Sequence, residues 1–251
     1  MRHFLQISYD GGRYHGWQYQ PGYVTVQGTL EAVLSKRLQR DVKVHACGRT
    51  DAGVHATRFY VHMDFLEGED VLAFQQAVAR MLPPDIALKD IIAVNPRANV
   101  QRDAIRRQYI YRIHTRRNPF LEDYSWLVQD PLDHIDDMMS LLPELSCKGD
   151  FRAFCRKADQ HASTIVRMES VELHQVSEHK HQFVFTADRY LRSMIRMLMH
   201  GLISVASGDM TQAVFLSSLR QQTPLDRPKQ APPQGLYLEE VWYPDHIYAS
   251  V

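Results

Sequence analysis

Leu5, Ile7 and Tyr9 alternate with polar residues at the start of the chain, a period-two pattern that predicts a strand ending at Gly11-Gly12. The spacing then changes to a helical one. Val26, Leu30, Val33, Leu34 and Leu38 predict a helix from Val26 to Arg40, with Thr25 as its N-cap. Val42, Val44 and Ala46 alternate up to Gly48, and Phe59, Val61, Met63 and Phe65 alternate beyond it. These two predicted strands bracket the loop Gly48-Arg49-Thr50-Asp51-Ala52-Gly53-Val54-His55. Val71, Phe74, Val78 and Met81 predict a second helix from Asp70 to Leu82, stopped by Pro83-Pro84, and Ile86 to Val94 reads as a further strand.

The second half begins near Ile105. Tyr109, Tyr111 and Ile113 alternate against Ile110, Arg112 and His114, which places both tyrosines on one face of a strand ended by Asn118-Pro119. A helix around Asp133 to Leu142 follows, then strands near Ile165 to Val176 and Gln182 to Ala187. The longest helix is predicted from Tyr190 to Ser207, with Leu191, Met194, Ile195, Leu198, Leu202 and Val205 as its buried stripe and Arg192 and Arg196 four apart on one side. A shorter helix (Thr211 to Arg220), a proline-rich loop and a strand from Gly235 to Tyr243 complete the pattern. Strands and helices do not alternate strictly enough for an all-parallel sheet, and the order suits two α/β sandwich halves with mainly antiparallel sheets.

Composition narrows the class. With 45% hydrophobic and 23% charged residues in 251, the chain reads as an ordinary globular protein with a substantial core. It has neither a signal-peptide pattern nor the roughly 20 apolar residues needed to cross a bilayer, and its three cysteines lack framework spacing, so a cytoplasmic location is expected and no membrane partner. The formal net charge of zero conceals a segregation. Seven arginines and one acid lie between Arg97 and Arg117, whereas six acids face Lys148 between Asp130 and Asp150. Tyr109 and Tyr111 sit inside the arginine run. Guanidinium forks grip phosphates and aromatic faces stack on bases, so this mixture tilts towards an RNA partner over a merely solvated face.

The loop from Gly48 to His55 holds the candidate chemistry. Its glycines permit turns that other residues resist, and an arginine two positions from Asp51 favours the ionised carboxylate. A fixed, ionised Asp is either a structural strut or a nucleophile, and spacing alone leaves both open. Other constellations are weaker. The thirteen histidines and three cysteines show no zinc spacing, and there is no phosphate-binding glycine loop or dinucleotide fingerprint, so neither metal nor cofactor is expected.

The nine residues Gly48-Arg49-Thr50-Asp51-Ala52-Gly53-Val54-His55-Ala56 resemble the active-site loop of the tRNA pseudouridine synthase A family. Further segments resemble the family in the same order: Tyr9-Asp10-Gly11, Tyr14-His15-Gly16-Trp17-Gln18, Val26-Gln27-Gly28-Thr29-Leu30-Glu31, Arg107-Gln108-Tyr109-Ile110-Tyr111, Asp150-Phe151-Arg152-Ala153-Phe154, Met194-Ile195-Arg196 and Gly235-Leu236-Tyr237-Leu238. The resemblance implies an α+β protein of two α/β sandwich (ferredoxin/RRM-like) halves, residues 1–105 with the catalytic loop and 106–251 completing the site, flanking a basic central cleft. It implies a homodimer that isomerises uridine to pseudouridine in the anticodon arm of tRNA.

It also implies roles. Asp51 is the nucleophile, whether it attacks C1′ or removes a sugar proton; Arg196 pairs with it; Tyr109 stacks on the target base. Arg49 fills the space a flipped uridine leaves or holds the backbone phosphate, or else merely neutralises Asp51. Leu236 and Leu238 line the uracil pocket or serve as core. Arg102, Arg106, Arg107 and Arg192 are expected to meet phosphates. Two departures stand out: Gln101 falls where the family's Arg-x-x-Ala pattern has its arginine, and Arg192-Ser193 stands where many members carry histidines. The rival reading is a non-catalytic tRNA-binding module, against which a carboxylate facing a polyanion argues. A tRNA deaminase would need a His/Cys zinc set with a nearby Glu, which the sequence lacks.

Overall fold

The computed structural model describes residues 1–129, 132–221 and 229–248. Asp130 and the first part of the proline-rich loop, residues 222–228, lie outside the described residues. The protein is mixed α+β with mainly antiparallel strand pairing, and its chain divides into two compact units, Met1–Arg107 with Tyr237–Val251, and Gln108–Leu236.

In the first unit, β1 (Arg2–Tyr9) lies between β3 (His55–Asp64) and β4 (Ile86–Ala93), antiparallel to both, with Leu5 opposite Val61 and Ile91. The short β2 (His45–Ala46) pairs antiparallel with the end of β3, and β10 (Leu236–Trp242) runs parallel to its start, Tyr237 opposite His55. Helices α1 (Val26–Leu38) and α2 (Val71–Met81) pack on one another, and α2 on β4. Phe4, Leu5, Ile7, Leu30, Phe59 and Val78 are completely buried in this core. Both helices start where their caps dictate: Thr25 Oγ1 accepts the Gly28 amide at 3.2 Å, and Asp70 Oδ1 accepts the Ala73 amide at 2.9 Å.

One predicted strand is much shorter than expected. The alternation from Val42 to Ala46 yields only His45–Ala46 as strand. Upstream, the Val42 amide donates to Ser35 Oγ (2.9 Å) and the Val44 amide to Glu31 Oε1 (3.1 Å), both side chains of α1. Val42 and Val44 are buried as the pattern requires, but their backbone donors are satisfied by side chains, not by a ladder.

In the second unit the strand order is β5 (Arg106–His114), β9 (Lys180–Ala187), β8 (Ile165–Ser177) and β7 (Lys148–Asp150). β8 and β9 form an antiparallel hairpin, and β6 (Trp126–Leu127) runs parallel to the end of β5. The short β6 and β7 have no signal in the hydrophobic pattern. Helix α3 (Ile135–Leu145) packs on α4 (Met194–Ala206) and on β8, with α5 (Gln212–Gln221) against both helices.

Helix α4 corrects a second expectation: it starts at Met194, not Tyr190. Ser193 has φ 60°, a left-handed conformation that interrupts helical winding, and the Arg192 carbonyl accepts the Arg156 amide at 3.1 Å. Arg192 therefore precedes the helix and does not share a helical side with Arg196. The expected stripe is buried throughout, but Met197, Met199, Ile203 and Ala206 are buried too, so α4 is enclosed nearly all round.

Candidate active site

The loop carrying Asp51 joins β2 to β3 within the first unit. Asp51 opens a tight turn: its carbonyl accepts the Val54 amide at 3.2 Å, and Gly53 at the third position has φ 78°. Positive φ at that position is what a type II turn demands and what glycine supplies at low cost. Asp51 is half-buried, between buried Thr50 and exposed Ala52.

Thr50 anchors the loop. Its Oγ1 shares a buried 2.8 Å hydrogen bond with the Tyr9 hydroxyl, and its carbonyl accepts the Trp17 amide at 3.1 Å. The Gly53 amide donates to the Tyr14 carbonyl at 3.3 Å, while the Tyr14 hydroxyl donates to Asp85 Oδ1 at 2.7 Å. Burial, together with that bond, pushes the Tyr14 phenol well above its usual range, so it remains a donor. Gly16 lies directly beneath the loop: with φ 84°, a Cβ there would stand 2.7 Å from the Thr50 carbonyl oxygen and 3.2 Å from the Ala52 nitrogen. Tyr9, Tyr14, Gly16 and Trp17 belong to segments whose resemblance to the family was plain, but their role in holding the loop was not. A Tyr-rich turn ending in Gly-Trp was the only available signal.

After the loop, His55 is 2% exposed and stacks on Tyr237, with ring centroids 4.7 Å apart. Its Nδ1 is 3.0 Å from Asp10 Oδ1 and 3.2 Å from the Gly11 amide nitrogen. Nearby Cys47 is buried, and desolvation pushes its thiol up to about 11, so it stays protonated and unreactive at neutral pH. Beside the loop a cavity of about 200 Å³ is lined by Trp17, Gln18, Asn99, Gln101 and exposed Arg49.

The expected arginines divide by environment. Arg107 donates to the carbonyls of Gln101 (2.9 Å) and Cys47 (3.2 Å), tying the 101–104 turn to the end of β2. The Arg106 guanidinium stands 4.3 Å from the centre of the Trp242 ring. Arg102 is exposed, and its amide, like that of Gln101, donates to Asn99 Oδ1 at 3.0 Å. Arg192 is also exposed.

The second unit holds the other candidate side chains. Tyr109 on β5 is half-buried and meets Tyr190 edge to face at 5.0 Å. Tyr111, two residues on, is completely buried, and its hydroxyl donates to the Pro232 carbonyl at 2.6 Å. Arg196, in the first turn of α4, is half-buried; its Nε donates to the Ala231 carbonyl (2.7 Å), and the Ala231 amide returns a bond to the Arg196 carbonyl (2.9 Å). That reciprocal pair fixes the stem of the guanidinium. Leu236, at the end of this unit, and Leu238, in the first unit, are both buried and flank Tyr237 along β10. Among the described residues no group of three or more His, Cys, Asp or Glu side chains is arranged to hold a metal ion, and no helix is long and apolar enough to cross a membrane.

Comparison with known proteins bears on what such a loop is for. A family model described as tRNA pseudouridine synthase matches residues 144–244. The tRNA pseudouridine synthase A of Bacteroides fragilis is 34% identical over 249 residues, covering 98% of each chain. That of Bacteroides thetaiotaomicron is 35% identical, covering 99% of this chain and 93% of its own. A relative of the same name, from a Nostoc species, is 34% identical over 244 residues, covering 96% of this chain and 86% of its own. With matches of this identity running nearly end to end, the chain belongs to the tRNA pseudouridine synthase A family.

Proposed function

We propose that this enzyme isomerises uridine to pseudouridine in the anticodon arm of tRNA, with Asp51 as the nucleophile. The observation that carries this reading is the Asp51 turn itself. A half-buried carboxylate is presented from a turn whose neighbour, Thr50, is pinned by two hydrogen bonds and backed by a glycine that leaves no room for a side chain. Preorganisation of this kind is what a displacement at carbon needs, because reacting atoms must start close and aligned.

The chemistry balances without a redox partner. A carboxylate oxygen of Asp51 bonds to C1′ as the N1–C1′ bond breaks and uracil leaves with the electron pair. The base turns, C5 bonds to C1′ as the carboxylate departs, the C5 proton is lost and N1 gains one. In this scheme Arg196 pairs with Asp51 and keeps it ionised and aimed. Tyr109 stacks on the uracil and stands near the C5 proton; a phenol is a weak base at neutral pH, so stacking is its main contribution. Leu236 and Leu238 form the apolar wall behind the base.

A stem uridine must leave its stack first, at a cost of about a few kcal/mol. Arg49, exposed beside the cavity next to the loop, supports the reading of a side chain that occupies the vacated space. Arg102, Arg106, Arg107 and Arg192 meet backbone phosphates, and Arg107 also ties the turn that carries Arg102 to the Cys47 carbonyl. In this reading the chain is built as two α/β sandwich (ferredoxin/RRM-like) halves, residues 1–105 and 106–251, with a basic cleft for the RNA. The enzyme works in the cytoplasm as a homodimer without metal or cofactor.

The test is to incubate wild type and Asp51→Ala with unmodified tRNA in the absence of added metal and map pseudouridine. Product near the anticodon stem from wild type alone is expected. Tight tRNA binding without product from wild type would reduce the protein to an RNA-binding module.

A further inference from the structure

β5 ends at His114, and the chain leaves it through Arg116 and Arg117, the last members of the arginine-rich run. The β8–β9 turn lies beside this exit, linked to it by a 3.1 Å hydrogen bond from the Thr115 amide to the His179 carbonyl. Between them is a cavity of about 310 Å³ lined by His114, Arg116, Arg117, Ser177, His179 and Lys180, with no carboxylate in its wall. It lies wholly within the second unit.

His114 is 1% exposed, yet neither of its ring nitrogens has a hydrogen-bond partner among the described residues. Leaving a buried polar group unsatisfied costs roughly 1–3 kcal/mol, and buried side-chain polar atoms in native proteins are mostly paired. Both nitrogens are closed off at the edge of the cavity, so a small turn of the ring is what brings an N–H to a group bound there. Burial holds the His114 imidazole below its usual range, Lys180 acts in the same direction, and Glu122 opposes them. The neutral ring keeps one N–H to donate. Around it Arg116, Arg117 and Lys180 are exposed and have no carboxylate partner among the described residues. Glu178, 87% exposed, lies 3.7 Å from His179.

A cavity ringed by three cations, with no carboxylate among its lining residues, disfavours a metal ion and selects an oxyanion. Two guanidiniums select one that can accept bidentate bonds, and the volume admits more than a bare ion. We propose that this cavity is a phosphate-binding site, with Arg116, Arg117 and Lys180 neutralising the charge at its mouth and the His114 ring turning an N–H towards the bound anion from beneath it. The phosphate belongs either to an RNA backbone or to a free phosphate or phosphomonoester, and the site is independent of Asp51.

The experiment uses the full chain and two probes. Inorganic phosphate is titrated while the His114 ring protons are followed by NMR, assigned with His114→Gln. Unmodified tRNA is bound at several salt concentrations. Both are repeated with the exposed pair Arg116→Ala/Arg117→Ala and with a charge-matched control, Arg80→Ala/Lys89→Ala, after unfolding midpoints confirm that the variants fold. A saturable His114 shift in wild type, weakened at least about 10-fold in the cavity variant but not in the control, is expected. For RNA phosphate, the cavity variant also loses about one unit from the slope of log affinity against log salt, even where inorganic phosphate alone is bound too weakly to shift His114. An unchanged slope with the phosphate shift present assigns the site to free phosphate. Absence of both effects, or a shift that the cavity variant leaves intact, overturns the proposal. Pseudouridine formation is assayed separately, so a failure of the Asp51 reading does not obscure the result.

Discussion

Gly16→Ala isolates the packing that holds the Asp51 turn. A Cβ at Gly16 would stand 2.7 Å from the Thr50 carbonyl oxygen, where ordinary contact begins near 3.4 Å, so the loop must retreat by several tenths of an ångström. The same substitution at Gly22 supplies the comparison. Gly22 has φ 81°, close to the 84° of Gly16, but nothing lies within 4 Å of its virtual Cβ. Gly22→Ala should therefore show the backbone term alone, roughly 1 kcal/mol for an L-residue forced to positive φ after allowance for a stiffer unfolded chain. Gly16→Ala adds an overpacking cost of about 1–3 kcal/mol, giving a total of about 2–4 kcal/mol. It should also slow catalysis about 10- to 100-fold, because a misplacement approaching 1 Å degrades a reacting geometry by about that factor. Urea unfolding measures the first effect, and single-turnover pseudouridine formation on unmodified tRNA measures the second. Equal stabilities and equal rates for the two variants would refute the argument that contact beneath Thr50 positions Asp51.

Two further outcomes are expected. Tyr111→Phe removes a 2.6 Å hydrogen bond from a fully buried ring and strands the Pro232 carbonyl; it should cost about 1–2 kcal/mol, and an unchanged urea midpoint would show that the bond contributes nothing. His62 is buried, and its Nδ1 accepts the Val100 amide at 3.2 Å; desolvation lowers its pKa from 6.5 to about 4, with Arg2 and His45 adding to the effect. The unfolded chain thus binds a proton between pH 6.5 and 4 that the native protein does not, so this contribution is complete above pH 6.5 and is lost as pH falls towards 4. The loss should amount to roughly 2–3 kcal/mol, visible as a drop in unfolding free energy between pH 6.5 and 4.5 that His62→Gln flattens; an equally steep drop in that variant would assign the acid sensitivity elsewhere.

The elements that could be read from the chain are those whose signals are local. Helices α1 and α2 begin where Thr25 and Asp70 offer a side-chain oxygen to the first turn, and α2 stops before Pro83-Pro84. Strands β1, β3, β8 and β9 lie where the sequence predicts them, and each has a neighbour over most of its length. Asp51 was found as a residue through the nine-residue run around it, since glycines and charges in a loop survive as a pattern of letters.

What the pattern of letters could not carry was the partner of each backbone group. Val42 and Val44 alternate like a strand, yet Ser35 and Glu31 take their amides. The apolar stripe of α4 extends back to Leu191, yet left-handed Ser193 delays the helix to Met194 and takes Arg192 off it. The closing strand was evident from its residues, but not that it would lie parallel to β3, across more than 180 positions of sequence. Nor could the sequence reveal that Gly16 supports Thr50 or that His114 is buried with both ring nitrogens unpaired among the described residues. Periodicity and capping act within a turn or two of chain, and the sequence determines them. Hydrogen-bond partners, close approach and the burial of a polar ring depend on which distant segments meet, and only the tertiary structure decides that.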